Sequence, residues 1–508
     1  MTGKHIFTLL GAAWLAITAG RAEDTLSRFG SFGPLFDVFP LTLSSGQRIE
    51  AMGPLFYREE NEDQRQWALP PLFSNTTDES LELQETDVLY PLLTYDQFGA
   101  EFRLQLIQLL SFSGGQTQSG DGTKRFTLFP IYFQQRSPDP QRNYTALVPI
   151  YGELKNRLFR DEIRFILFPL YSQTRKKDVI TDNYLYPVVH MRRGDGVDLS
   201  GWQVWPLVGS ETRHPLTRTN RYDEVETLGG HEKFFALWPI FLKETTGIGT
   251  DNPQRQLSVL PLFSKTRSPQ RDSITAPWPI GLTLTEDREK KYREVGAPWP
   301  LVVFARGEGK TVARVWPLFS QARNAHLQSD FYLWPIYKYN RLQSDPLDRE
   351  RTRILLFLYS DISERNTQTG HAKQRRDFWP FFTWKRDLDG RERLQILAPI
   401  EPMLPNNKSI ERNYSPLWSV WRSEKNPQTH ASSQSLLWNL YRRDKTDDAT
   451  HGSALFGLFQ YRRDGDGKSW RLFYLPVGKD KRSSSLSKSN KNSCSVASAK
   501  GAEALVAR

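Results

Sequence analysis

The sequence predicts an all-β protein: an antiparallel meander of about 22 strands, each kinked by a proline, on a repeat of about 20 residues. Three observations lead there. A short phrase recurs along residues 34–476, an apolar residue, then Pro, Leu or Ile, then an aromatic or aliphatic residue, as in Phe129-Pro130-Ile131-Tyr132 and Phe168-Pro169-Leu170-Tyr171. Polar and apolar residues alternate beside it, as in Lys124-Arg125-Phe126-Thr127-Leu128, and a period of two is that of a strand. Turn-rich segments such as Ser137-Pro138-Asp139-Pro140 and Arg193-Gly194-Asp195-Gly196 separate the phrases, and no stretch shows a convincing helical repeat.

Nineteen prolines from Pro34 to Pro476 head the phrase, most of them 17 to 22 residues apart. Seven copies read Trp-Pro, from Trp205 to Trp379, and four lack Pro, among them Leu355-Leu356-Phe357-Leu358 and Leu437-Trp438-Asn439-Leu440. Proline cannot donate to a ladder, so a proline at one height on nearly every strand predicts a line of bulges or bends. A sheet kinked in register curves, which favours closure.

Ahead of the repeat, residues 1–22 read as a secretory signal peptide. Lys4 gives the positive start, Ile6 to Ala19 is the apolar stretch, and Gly20-Arg21-Ala22 places cleavage after Ala22. That apolar stretch is short for a membrane span of about 20 residues. Residues 23–478 form one repetitive β domain. Residues 479–508, rich in Ser and Lys, cannot bury a core and are expected to be disordered.

Composition narrows the function. Aromatics at 13% mark a folded chain, and the lone Cys494 leaves no intramolecular disulfide framework. A mean hydropathy of −0.56 argues against a bundle of membrane helices. The formal charge of +11 suggests a polyanion binder, but Lys4, Arg21 and the basic tail account for most of it. The residual +4 on residues 23–478 gives no case for nucleic acid.

Motifs that announce catalysis are missing from the sequence. It holds no Gly-x-Ser-x-Gly, no His-Glu-x-x-His and no phosphate-binding glycine loop, and its eight histidines never come closer than 17 positions. The expectation is a non-enzymatic protein with no cofactor and no metal. Asp464-Gly465-Asp466-Gly467 and Asp387-Leu388-Asp389-Gly390 have carboxylates at a calcium-compatible spacing, but Asp-Gly is also a hairpin turn, the preferred reading. The long interval between Pro206 and Pro239 carries Arg213, His214, Arg218 and Arg221, a candidate loop for an anionic glycan or lipid headgroup.

Two architectures fit such a meander. The favoured one is a large closed β-barrel in an outer membrane, with apolar residues at alternate positions facing lipid and aromatics at the interfaces. The other is a soluble periplasmic or surface β-repeat, a propeller, solenoid or stack of bent sheets that binds a polymer or partner protein. Its support is the apolar character on both faces of Phe331-Tyr332-Leu333-Trp334-Pro335-Ile336-Tyr337. The Trp-Pro and Pro-Leu-Phe/Tyr strands over 34–478 resemble uncharacterised repeat proteins of the Gram-negative envelope, similar in plan to outer-membrane β-barrels. That resemblance implies a structural, solute-passage or envelope-lipid-handling role at the cell outer membrane, with membrane lipid as the partner. The chain departs from it at the C-terminus, where some thirty residues follow the last expected strand, Trp470 to Pro476.

Overall fold

The structure, a computed structural model, describes residues 35–116, 122–219, 223, 225–465 and 467–477. The expected signal peptide, the expected tail and Cys494 lie outside them. Within them the chain is all-β. Forty-three strands form one antiparallel sheet, each paired with its neighbours in chain order, from Asp37–Pro40 to Leu475–Val477. No ladder among the described residues joins the first strand to the last. A separate hairpin, Leu216–Thr219 with Val225–Leu228, lies in the connection between Val208–Arg213 and Gly230–Ala236.

The expected strand count and the proline kink both need correction. Each twenty-residue repeat holds two strands, and the proline lies in the turn between them. Lys124–Leu128 and Tyr132–Arg136 pair with Leu128 opposite Tyr132, and the amide of Ile131 donates to the Leu128 carbonyl across 2.7 Å. Phe129-Pro130 is cis, as are most repeat prolines between Pro71 and Pro380. A cis proline at the third of four positions reverses the chain, and there its missing N–H costs the ladder nothing. The apolar phrase looks like the middle of one long strand because the last residue of one strand, the turn and the first residue of the next are all apolar.

Consecutive turns are joined as well. Around Pro169, Leu167 donates to the Ile150 carbonyl (2.6 Å), Phe168 to the Pro149 carbonyl (2.7 Å) and Leu170 to the Leu167 carbonyl (2.8 Å). The next turn repeats this, with Leu185 on Leu170 and Tyr186 on Pro169, both at 2.8 Å. Because strands alternate in direction, the apolar turns gather on one edge of the sheet. Polar turns such as Lys177-Asp178 and Ser268-Pro269-Gln270 lie on the other, where Leu158-Phe159 is an apolar exception.

Strand registers give each face its character. The row next to the apolar edge runs Leu128, Tyr132, Leu147, Tyr151, Ile166, Tyr171, Tyr184, Val189, Val204, Val208 from strand to strand. The row behind it points to the opposite face: it starts Phe133, Ala146, Gly152, Phe165 and then turns small or polar at Ser172, Asn183, His190, Gln203, Gly209. The first face is called outer here and the second inner. Among the described residues, buried apolar side chains gather in two small clusters, one around Phe133, Tyr144, Leu154 and Phe165 and one around Tyr292, Val303 and Val312. The sheet is therefore largely a single layer held by ladder hydrogen bonds and cross-strand pairs.

One connection on the apolar edge is not a turn. Residues 397–420 leave the strand Glu392–Ile396 and form two short helices, α1 (Lys408–Asn413) and α2 (Ser415–Trp418), before Trp421–Asn426. Pro399 and Pro416, which their spacing places among the nineteen repeat prolines, lie in this insert. Asn407 caps α1 by accepting the Ile410 amide at 3.0 Å. No helix among the described residues is long and apolar enough to cross a membrane, which says nothing of strands.

Candidate functional site

Two features of the sheet combine exposure, charge and geometry. The first is the apolar edge. Leu167, Phe168, Leu170, Leu185, Tyr186, Trp238, Ile240, Trp334 and Ile336 all expose large apolar surface there. Residues preceding successive prolines touch along the edge, with ring centroids 5.7 Å apart for Phe168 and Tyr186 and for Trp205 and Trp238, and 6.0 Å for Trp316 and Trp334. In the turns around Pro169 and Pro187 every N–H present is hydrogen-bonded within the protein, so these turns are apolar in their side chains and satisfied in their backbone donors. Exposed apolar residues continue a row further up the outer face at Trp202, Phe234, Leu257, Leu284 and Phe304.

The second feature is a chamber of about 430 Å³ between the inner faces of the first and last parts of the sheet. Segment 397–420 is latched to both walls. On one wall, Arg412 binds Asp87 (3.0 Å), Thr76 (3.0 Å) and Glu85, while Asn413 donates to Asp87 at 3.0 Å and the Tyr57 hydroxyl donates to the Arg412 carbonyl at 2.9 Å. On the other, Glu401 accepts from Gln395 (2.7 Å), Trp418 (3.0 Å) and Ser415, and Arg375 donates to the Glu401 carbonyl at 2.6 Å. Direct contacts also join the walls: Asn439 donates to Glu50 at 2.7 Å, and the Arg442 guanidinium lies 3.3 Å from the Phe39 ring centroid. The two ends of the sheet thus meet through side chains and the insert, without a ladder.

Charge in the chamber is dense and mostly paired. Arg48 binds Glu50 and Glu59, each at 2.7 Å, and stacks 4.0 Å over the Tyr57 ring. Burial alone would lower the Arg48 guanidinium, but Glu50 and Glu59 outweigh it and hold it above its ordinary value. Burial pushes the Tyr57 phenol up to about 12, against the pull of Arg48. Burial likewise favours the neutral form of Glu411, yet Lys385 and Arg393 bring it below the usual carboxylate value.

A smaller cavity of about 100 Å³ has the inner-face residues His190, Arg192, Glu211, Lys233 and Phe235 in its lining. There Glu211 takes an ion pair from Arg192 and a 2.7 Å contact from His231, which together outweigh its burial and lower its pKa.

The candidate loop is described in part. Arg213 ends the strand Val208–Arg213, and His214 is exposed, 3.7 Å from the Asp198 carboxylate. Arg218 lies in the hairpin strand Leu216–Thr219, and Arg221 lies outside the described residues. Neither Arg213 nor His214 lines either cavity. Asp387-Leu388-Asp389-Gly390 is a turn closed by the Gly390 amide on the Asp387 carbonyl at 3.0 Å. Among the described residues no three His, Cys, Asp or Glu side chains gather as a metal group. The sequence reading missed Glu50, Asp87, Glu401 and Arg412, whose partners lie as many as 389 positions away. No family model matches the chain, and no curated protein shows significant similarity to it.

Proposed function

We propose that the chain is an exported, non-enzymatic envelope protein that seats its proline-turn edge in one leaflet of a membrane, with the polar inner face turned away from lipid. The observation that carries this reading is the edge itself: a row of exposed Leu, Ile, Phe and Trp on turns of which those around Pro169 and Pro187 have every N–H bonded within the protein. Lipid offers no hydrogen bonds, so only backbone that is internally satisfied enters it cheaply. A soluble protein rarely exposes so long an apolar strip.

The height of the strip selects one leaflet over a full span. Its strands have three to eight residues, as in Leu475–Val477 and Tyr337–Ser344, against the roughly nine to eleven that a spanning strand needs. A turn plus one or two apolar rows, rows on one face being two residues or about 7 Å apart, gives about 7 to 14 Å, up to half of a hydrocarbon core about 30 Å thick. Farther up, the outer face carries charge, with Glu162, Arg175 and Arg193 in one row interrupted by Ile180, as expected at headgroup level. The reading includes closure of the sheet into a ring, with the insert 397–420 and its ion pairs bridging the ends. The role is then structural, or the passage or handling of a solute or envelope lipid.

Flotation tests it. The full-length protein, mixed with vesicles of phosphatidylethanolamine and phosphatidylglycerol, is expected to rise with the lipid and to resist a high-salt wash. A protein that stays monodisperse in buffer and sediments away from the vesicles would be the soluble β-repeat instead.

A further inference from the structure

We propose that the chamber between the two ends of the sheet binds a phosphate group through Arg422, with Arg393 and Arg48 beside it. Arg422 lies on Trp421–Asn426, opposite Gln395 on one neighbouring strand and Ser435 on the other, and it lines the chamber. Its one hydrogen bond among the described residues runs from Nε to the Ser419 hydroxyl at 2.9 Å, which leaves both terminal nitrogens of the fork open. The carboxylates whose field reaches it are already engaged: Glu50 by Arg48 and Asn439, and Glu424 by Arg393 at 3.2 Å. A second guanidinium has a spare donor. Arg48 is more than nine-tenths buried, and its Nη2 has no hydrogen-bond partner. Burial and the like charge of Arg48 push Arg422 below its ordinary value, the mark of a cation short of counter-charge.

A buried donor without an acceptor costs free energy that a ligand can relieve. Guanidinium forks match the oxygens of a tetrahedral oxyanion, and one phosphate can accept from more than one of them. Arg393 is placed to share it, because its cross-strand partner Glu424 is two residues from Arg422 on the same face. A chamber of about 430 Å³ is larger than a single phosphate and has room for a small polar group attached to it, such as glycerol or a sugar. The acidic lining residues limit the total charge it accepts, so a monoester or diester fits better than a polyphosphate. The site is on the inner face, and it stands or fails independently of lipid contact at the apolar edge.

Thermal unfolding of the full-length protein tests this, with inorganic phosphate and glycerol 3-phosphate against chloride at matched ionic strength. Vesicles of phosphatidylglycerol against phosphatidylcholine form the second arm. The expected result is a midpoint that rises with phosphoester concentration in the native protein, and affinity at least about tenfold weaker in Arg422→Gln. Without ligand, Arg422→Gln is expected to unfold no earlier than the native protein, because it removes an uncompensated charge. Arg422→Lys keeps the charge, lacks the fork and is expected to bind as weakly, so it reads the site if the Gln variant does not fold. A response to glycerol 3-phosphate identifies a free phosphoester, and a response to phosphatidylglycerol alone identifies a lipid headgroup. No response in either arm, or equal responses in native and variant proteins, would overturn the proposal.

Discussion

A single aspartate on the apolar edge separates seating in lipid from general stickiness. Leu170 follows Pro169 and is 51% exposed, so placing it in lipid buries about half a leucine, worth about 1 kcal/mol. Leu170→Asp loses that and adds a carboxylate at acyl-chain depth, about 3 kcal/mol more on insertion scales. The total of about 4 kcal/mol corresponds to roughly a thousandfold loss of vesicle affinity, an upper bound because a bilayer thins locally around a charge. Leu170→Ala is expected to lose only the first part, about fivefold. Leu158→Asp is the control: Leu158 is 66% exposed but lies on the polar edge, so its replacement leaves affinity unchanged. Vesicle titration by equilibrium sedimentation reads all three, and circular dichroism confirms that the sheet is intact. Equal binding by Leu170→Asp and the native protein, or equal losses for Leu158→Asp and Leu170→Asp, would refute the reasoning.

Three further outcomes follow from the inner face. Arg412→Gln leaves Asp87 buried without its cation, which should cost about 3 to 5 kcal/mol and open segment 397–420 to protease, whereas unchanged digestion would deny the latch. Burial lowers the pKa of His190, whose Nε2 lies 2.8 Å from the Pro187 carbonyl, and that of His451. Both favour the neutral ring in the fold, so their contribution is fully present above the ordinary His value of about 6.5 and is lost as pH falls through their lower folded values. Denaturant midpoints should therefore drop on acidification below that value, and less steeply in the double variant His190→Gln/His451→Gln. A Cβ at Gly152 would lie 2.2 Å from the Ala146 Cα, so Gly152→Val should separate that strand pair and destabilise by about 1 to 3 kcal/mol, measurable by urea titration.

Strand content and the repeat could be read from the sequence because alternation is local. Strand number could not. In Leu128-Phe129-Pro130-Ile131-Tyr132 the strand ends and the turn are all apolar, and nothing in the residue types marks the reversal that the cis bond creates. The apolar edge was visible only as a list of Leu, Trp and Ile, since it takes the two-strand repeat to put every copy on one side. The chamber was out of reach for a different reason. Glu50 meets Asn439 and Asp87 meets Arg412 only because the sheet curves and the insert spans its ends, and no local spacing encodes such pairs. Arg213 and His214 stood out as a basic cluster in a long connection, but a strand end and a hairpin keep that cluster on the polar side of the sheet.

The most direct test of lipid seating uses the tryptophans already on the edge. Seven of the 15 precede a repeat proline, and Trp238, Trp316 and Trp334 are each more than two-fifths exposed. Emission would be recorded with vesicles whose lipids carry bromine on the acyl chains, and again with acrylamide in the water. Strong quenching by acyl bromine, with protection from acrylamide on lipid addition, is the result that seating predicts. Emission unaffected by bromine and quenched equally by acrylamide with or without lipid would contradict it.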